Sequence, residues 1–227
     1  MAGLRYVLAI ALRTQRWAPP AIVLVGLIAW AWFAPPLMLS ATNFVALLLF
    51  ALASWLGYAT ATAEDPGQEA IAVSNYGSYG RLALARWAAA FLLAAPFPLI
   101  LLFGSYFWHA FTDRPTLAAV GAAGLLLLST AACGAAIGAL VGSLLPTRPA
   151  WAAALLFIAA LGEAAPAIPP VGLGNPTLTP TGPEPLSQLI LAIGLGLILA
   201  AAALTLASWW HRRARPGGSP EAGQHSS

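Results

Sequence analysis

Along most of this chain the hydrophobic positions show no periodicity, because there are too few polar residues to make a second face. Apolar runs continue for 17 to 29 residues and then stop at short polar or proline-rich gaps. An α-helix rising about 1.5 Å per residue needs roughly 20 such residues to cross a hydrocarbon core about 30 Å thick. The runs fall at 18–34, 43–62, 87–108, 117–145, 151–168 and 186–209, and predict six transmembrane helices. The first residues follow a different rule. Arg5, Arg13 and Arg16 fall within about 80° of one another on a helical wheel, with Leu4, Val7, Leu8 and Ala11 opposite, which predicts an interfacial helix over 1–17.

Composition sharpens this reading. Charged residues make up 7% of the 227 positions and hydrophobic residues 60%, whereas soluble domains carry about a quarter charged. The expected class is an all-α membrane protein, with 18–213 as the membrane domain and 214–227, rich in Gly, Ser and Pro, as a disordered tail. All ten basic residues are Arg. That excludes a Walker A lysine, a Schiff-base lysine and a Ser-Lys dyad. Neither HExxH nor GxSxG occurs, and one Cys, Cys133, cannot form a disulfide within the chain. No catalytic residue, metal site or cofactor is expected, and no nucleic-acid partner. Nine of the ten Arg fall on one side of a six-span arrangement, with only Arg114 opposite. The positive-inside rule then puts both termini in the cytoplasm of a multi-pass protein of the cell membrane.

The longest polar interruption, 63–86, contains Glu64, Asp65, Glu69, Arg81 and Arg86. Five charges in so short a stretch place it in water between the second and third spans. Asp65 as N-cap, Pro66 at the first helical position and Gln68 two residues on predict a short helix to about Ser74, broken by Asn75, Gly77 and Gly80. Ser78 or Arg81 then opens the next helix. The order Glu64, Gly67, Glu69, apolar Ala70 to Val73 and basic Arg86 resembles the loop between spans two and three in membrane subunits of type-2 ATP-binding-cassette exporters. It departs from that pattern at Pro66, at Gln68 and in lacking a Pro after the apolar stretch. The resemblance implies that Glu64, Asp65, Gly67, Glu69, Arg81 and Arg86 form a coupling helix and its supports, with Glu69 offering its charge to an ATPase subunit. It also implies a second permease subunit, identical or related, and ATP hydrolysis on the partner chain alone.

The later segments extend the comparison. A long fourth span, a tight turn at 146–150 with Arg148 and an immediate fifth span resemble the same family. Between the fifth and sixth spans lie Glu163 and seven prolines up to Pro185. The family implies a re-entrant segment there, closing the external end of the pathway, with Asn175-Pro176 resembling an Asn-Pro found in it and Glu163 standing at that gate. A solvated loop-edge carboxylate describes Glu163 equally well. Elsewhere, Pro96 and Pro98 should kink the third span, and Gly134, Gly138 and Gly142 form a stripe for close helix contact. His109 and Asp113 are spaced for a proton relay or metal pair, and equally for a structural role at the membrane edge. Spans without charge favour a hydrophobic or amphipathic substrate for export. An ion-coupled secondary transporter and a non-transporting membrane scaffold are the alternatives.

Overall fold

The structure, a computed structural model, describes residues 2–15, 17–33, 37–64, 66–109, 111–163, 168, 170, 178–179, 182–183 and 186–214. Among these the chain is helical almost throughout: α1 (Ala2–Arg13), α2 (Ala18–Phe33), α3 (Met38–Ala61), α4 (Pro66–Tyr76), α5 (Tyr79–Ala94), α6 (Pro96–Phe107), α7 (Leu117–Leu144), α8 (Pro149–Glu163) and α9 (Leu186–Ala214). Two-residue strands β1 (Leu178–Thr179) and β2 (Gly182–Pro183) pair antiparallel, Leu178 opposite Pro183.

Four helical stretches are long and apolar enough to cross a membrane: Met38–Ala61, Tyr79–Phe107, Leu117–Leu144 and Leu186–Trp210. The expected spans at 18–34 and 151–168 correspond to α2 and α8, of 16 and 15 residues. At about 1.5 Å per residue these reach only about 22–24 Å. The third span begins at Tyr79 rather than at 87 and is interrupted at Ala95, where α5 ends and Pro96 opens α6. The kink expected from the two prolines is therefore present, and falls just before them.

A helix without a polar face has to be covered on all sides or face lipid. α7 is the covered one: 78% of its most apolar window is buried, against 28% for Leu186–Trp210. It lies closest to α3, and the glycines make that approach possible. A Cβ placed on Gly138 would overlap the carbonyl of Ser54, and one on Gly134 would stand 2.8 Å from the Phe50 carbonyl oxygen. Gly57 completes the contact from α3, facing the Ala135 carbonyl. Around this pair a continuous core runs from Met38 and Val45 of α3 through Leu102 of α6 to Leu126 of α7 and Leu189 of α9.

The bundle has two distinct ends. At one, Tyr58 of α3 and Val141 of α7 meet Ala152 and Leu156 of α8. There too α1 lays Leu4, Val7 and Leu8 against Ala72 of α4 and Leu82 and Ala89 of α5, while Arg5 and Arg13 point to the exterior. The apolar side of this predicted interfacial helix is thus covered by protein. At the opposite end, both carboxylate oxygens of Asp113 accept from the backbone N–H of Met38 at 3.2 Å and so cap the start of α3. Leu178 of β1 is buried in the core beside Phe111 and Ala119. Pro170 packs on Gly196, ten residues inside α9, where an added Cβ would lie 3.0 Å from the proline ring.

Candidate functional site

The polar stretch expected in water delivers its most distinctive feature out of water. Arg86 is 2% exposed and Glu69 8% exposed. The Arg86 guanidinium reaches Glu64 through Nη2 at 2.5 Å and Glu69 through Nη1 at 2.9 Å. An arginine suits this position because its planar fork carries several donors and stays charged, so each carboxylate takes a different nitrogen. Burying an ion without a partner costs several kcal/mol, and this arrangement pairs all three charges while leaving the cluster with a net charge of −1.

Local sequence explains how the three meet. Pro66 stands at the first turn of α4, a position where its missing N–H has no helical partner to lose. α4 ends at Tyr76, two residues beyond the expected stop, and Gly77 takes the left-handed conformation with φ +74°. Ser78 then caps α5, its hydroxyl oxygen accepting from the Arg81 N–H at 3.3 Å. The result is a helical hairpin hinged at Gly77–Ser78. Glu69 lies 77 − 69 = 8 residues before the hinge and Arg86 lies 86 − 78 = 8 after it, so the hairpin brings them level. Glu64, just past the end of α3, closes the cluster from the other side.

Arg86 is also fixed through its backbone and its neighbour. The Thr60 hydroxyl of α3 donates to the Gly57 carbonyl at 3.0 Å and lies 3.4 Å from the Arg86 carbonyl. Trp87 donates from Nε1 to the Ala132 carbonyl of α7 at 2.9 Å. A force on α4 therefore has a short path to α3 through Glu64, to α5 through Arg86 and to α7 through Trp87.

Two tyrosines border the cluster and escape sequence reasoning. Burial and then the Glu64 carboxylate hold the Tyr6 phenol of α1 above its ordinary value. The same two causes raise Tyr76 of α4, against the opposing charge of Arg86. The Tyr76 hydroxyl is buried with no hydrogen-bond partner among the described residues. No spacing rule ties Tyr6 to a loop sixty residues later. For Tyr76 the adjacent Asn75 and Gly77 signal a turn and nothing more.

The remaining expected site residues divide clearly. Gly67 and Arg81 are exposed, and Glu64, Glu69 and Arg86 are gathered into one cluster. The expectation that Glu69 presents its charge at an outer surface is overturned by its burial and its pairing with Arg86. Arg86 likewise does not stand in water before a span: it lies two turns inside α5, tolerated there because two carboxylates meet it. Asp65, Asn175, Pro176 and the tail from 215 lie outside the described residues, as does the side chain of Glu163, the last residue of α8. His109 and Asp113 do not form a ligand pair, since His109 is exposed and Asp113 is occupied by Met38. Among the described residues no three His, Cys, Asp or Glu gather where a metal could bind.

α4 has two faces. Glu69 and Ala72 are buried inward, while Gly67, Gln68, Ala70, Ile71, Ser74 and Asn75 are exposed, Ile71 at 64%. Compared with protein-family models, with curated proteins and with solved structures, the chain matches none.

Proposed function

We propose that the chain is the membrane subunit of an ATP-driven exporter, with α4 as the helix that docks on a separate ATPase. The observation that carries this reading is the anchoring of α4: its inner face is held by the Glu64–Arg86–Glu69 cluster, and its outer face, with Ile71 at its centre, is left uncovered. A helix on a membrane loop that merely rested on lipid would not need its inner face tied to a span by a buried double ion pair. Movement of the ATPase would pull on α4, and through Arg86 and Trp87 on α5 and α7.

In this reading α2 and α8 are also spans, short ones accommodated by local bilayer thinning or by packing against neighbours, which gives six. Both termini and α4 face the cytoplasm, as the distribution of Arg requires. Pro170, packed about 15 Å along α9 from its start, favours a re-entrant segment between α8 and α9 at the external end, with Glu163, Asn175 and Pro176 near the gate. The uncovered apolar faces of α8 and α9, including Phe157, Ile158, Ile190 and Ile198, suit a second permease subunit, identical or related, and the surrounding bilayer. Substrate would pass between the two subunits. Spans free of charge apart from the neutralised Arg86 favour a hydrophobic or amphipathic cargo.

The test is reconstitution in lipid vesicles with the ATPase encoded beside this chain. The chain alone should hydrolyse no ATP, and adding it should stimulate the ATPase. Stimulation should fall at least several-fold for Ile71→Asp, a surface change that leaves the ion pairs intact. Unchanged stimulation by that variant would remove α4 as the docking helix, and hydrolysis by the isolated chain would refute the division of labour.

A further inference from the structure

At the end of the bundle opposite the ion-pair cluster, a half-open cavity of about 640 Å³ lies between the end of α6 and the loop leading to α7. Ser105, Tyr106, Phe107, His109, Phe111 and Arg114 line it. Three features of this lining have no role in the fold described above. The Ser105 hydroxyl is 1% exposed and has no hydrogen-bond partner among the described residues, not even the helical carbonyls that serve Ser129 and Thr130 in α7. Arg114 makes no ion pair among the described residues, although Asp113 is adjacent, because the Asp113 carboxylate is turned to the Met38 N–H. His109 and Arg114 both hold left-handed backbone, at φ 52° and 44°, a conformation disfavoured for such residues unless the surroundings fix it.

We propose that this cavity binds a phosphate-type oxyanion, held by the Arg114 guanidinium with hydrogen bonds from Ser105 and His109. A guanidinium presents parallel N–H donors that match two oxygens of a phosphate, and a buried hydroxyl gains most from a charged acceptor. A neutral ligand would leave Arg114 uncompensated, and a cation would be repelled by it. The same phosphate chemistry can come from a lipid headgroup or from free phosphate. Phe107 at 70% exposure and the neighbouring Trp108 at 75% lie at the end of a membrane-length helix, beside the opening, where an acyl chain would find apolar contact. This favours the headgroup of an amphiphile and does not depend on the exporter reading.

The experiment uses the full chain in an uncharged detergent and follows tryptophan fluorescence while inorganic phosphate, a short-chain phosphatidic acid or a short-chain phosphatidylcholine is added. The variants are Ser105→Ala, which removes the hydroxyl with little change in volume, and Arg114→Asn, chosen because Asn tolerates left-handed backbone. Arg148→Gln, an exposed arginine in the turn at the other end, serves as control, and thermal melting checks that each variant is folded. We expect saturable phosphatidic acid binding, weakened about tenfold or more by Arg114→Asn and several-fold by Ser105→Ala, and unchanged by Arg148→Gln. Tighter binding of phosphatidic acid than of inorganic phosphate assigns the site to a lipid headgroup. Equal binding of the two assigns it to the free anion. Absence of saturable binding by either, or equal binding by folded Arg114→Asn and wild type, overturns the proposal, as does equal loss in Arg148→Gln.

Discussion

Arg86 is the residue on which most of the account turns, because one side chain neutralises two buried carboxylates. Replacing it with Gln leaves Glu64 and Glu69 facing each other without a counter-charge, and should cost about 3–5 kcal/mol. Glu64→Gln should cost less, since it leaves a matched Arg86–Glu69 pair and removes the excess negative charge. The order of melting temperatures in detergent checks this, and Arg86→Gln melting with the wild type would contradict it. The tyrosines give a pH signature. Both phenols are raised above their ordinary value in the folded protein, so the unfolded chain ionises first, near pH 10. Stability from this source is complete below about pH 10 and is lost as the pH climbs through the folded values. Tyrosinate absorbance should therefore appear at higher pH in the folded chain than in denaturant. Tyr76→Phe should shift that difference while costing little stability, because it removes a hydroxyl that has no partner.

At the scale of elements, the contact between α3 and α7 is set by absent side chains. Gly138→Ala would push a methyl into the Ser54 backbone and should destabilise the bundle by about 1–3 kcal/mol or more. Gly121→Ala, on the same helix with nothing within 4 Å of the added Cβ, should be neutral or gain up to about 1 kcal/mol. Thermal melts of the two variants side by side decide it, and equal effects would contradict the close approach. The stripe at Gly134, Gly138 and Gly142 was legible because spacing of four survives in any helix. Its partner Gly57 was not, since a single glycine in α3 carries no period. In the same way Pro66, Gly77 and Ser78 announced the hairpin of α4 and α5. That the hairpin would bury Glu69 against Arg86 followed only from counting equal distances from its hinge, a step that the high cost of buried charge argues against until both partners are seen together. The role of Asp113 was hidden for a related reason: its partner is a backbone N–H 75 residues away.

For the whole molecule, apolar run length identified the four long helices directly, because hydropathy alone decides whether a segment can replace water with lipid. It said less about α2 and α8, whose helices stop short of the runs that predicted them. Nor could it show that α1 would be covered by α4 and α5, since an apolar face fits protein and lipid equally well. What joins these scales is the proposal that α4 is anchored inward through Arg86 and presented outward for an ATPase. The most direct measurement is site-specific photo-cross-linking in the cell that normally makes the chain, with a photoreactive amino acid at Ile71 on the outer face of α4 and, separately, at Thr112 in the loop of the opposite end. The account predicts that Ile71 captures a soluble chain carrying a Walker A lysine and that Thr112 does not. Capture of that ATPase from Thr112 and never from Ile71 would contradict it.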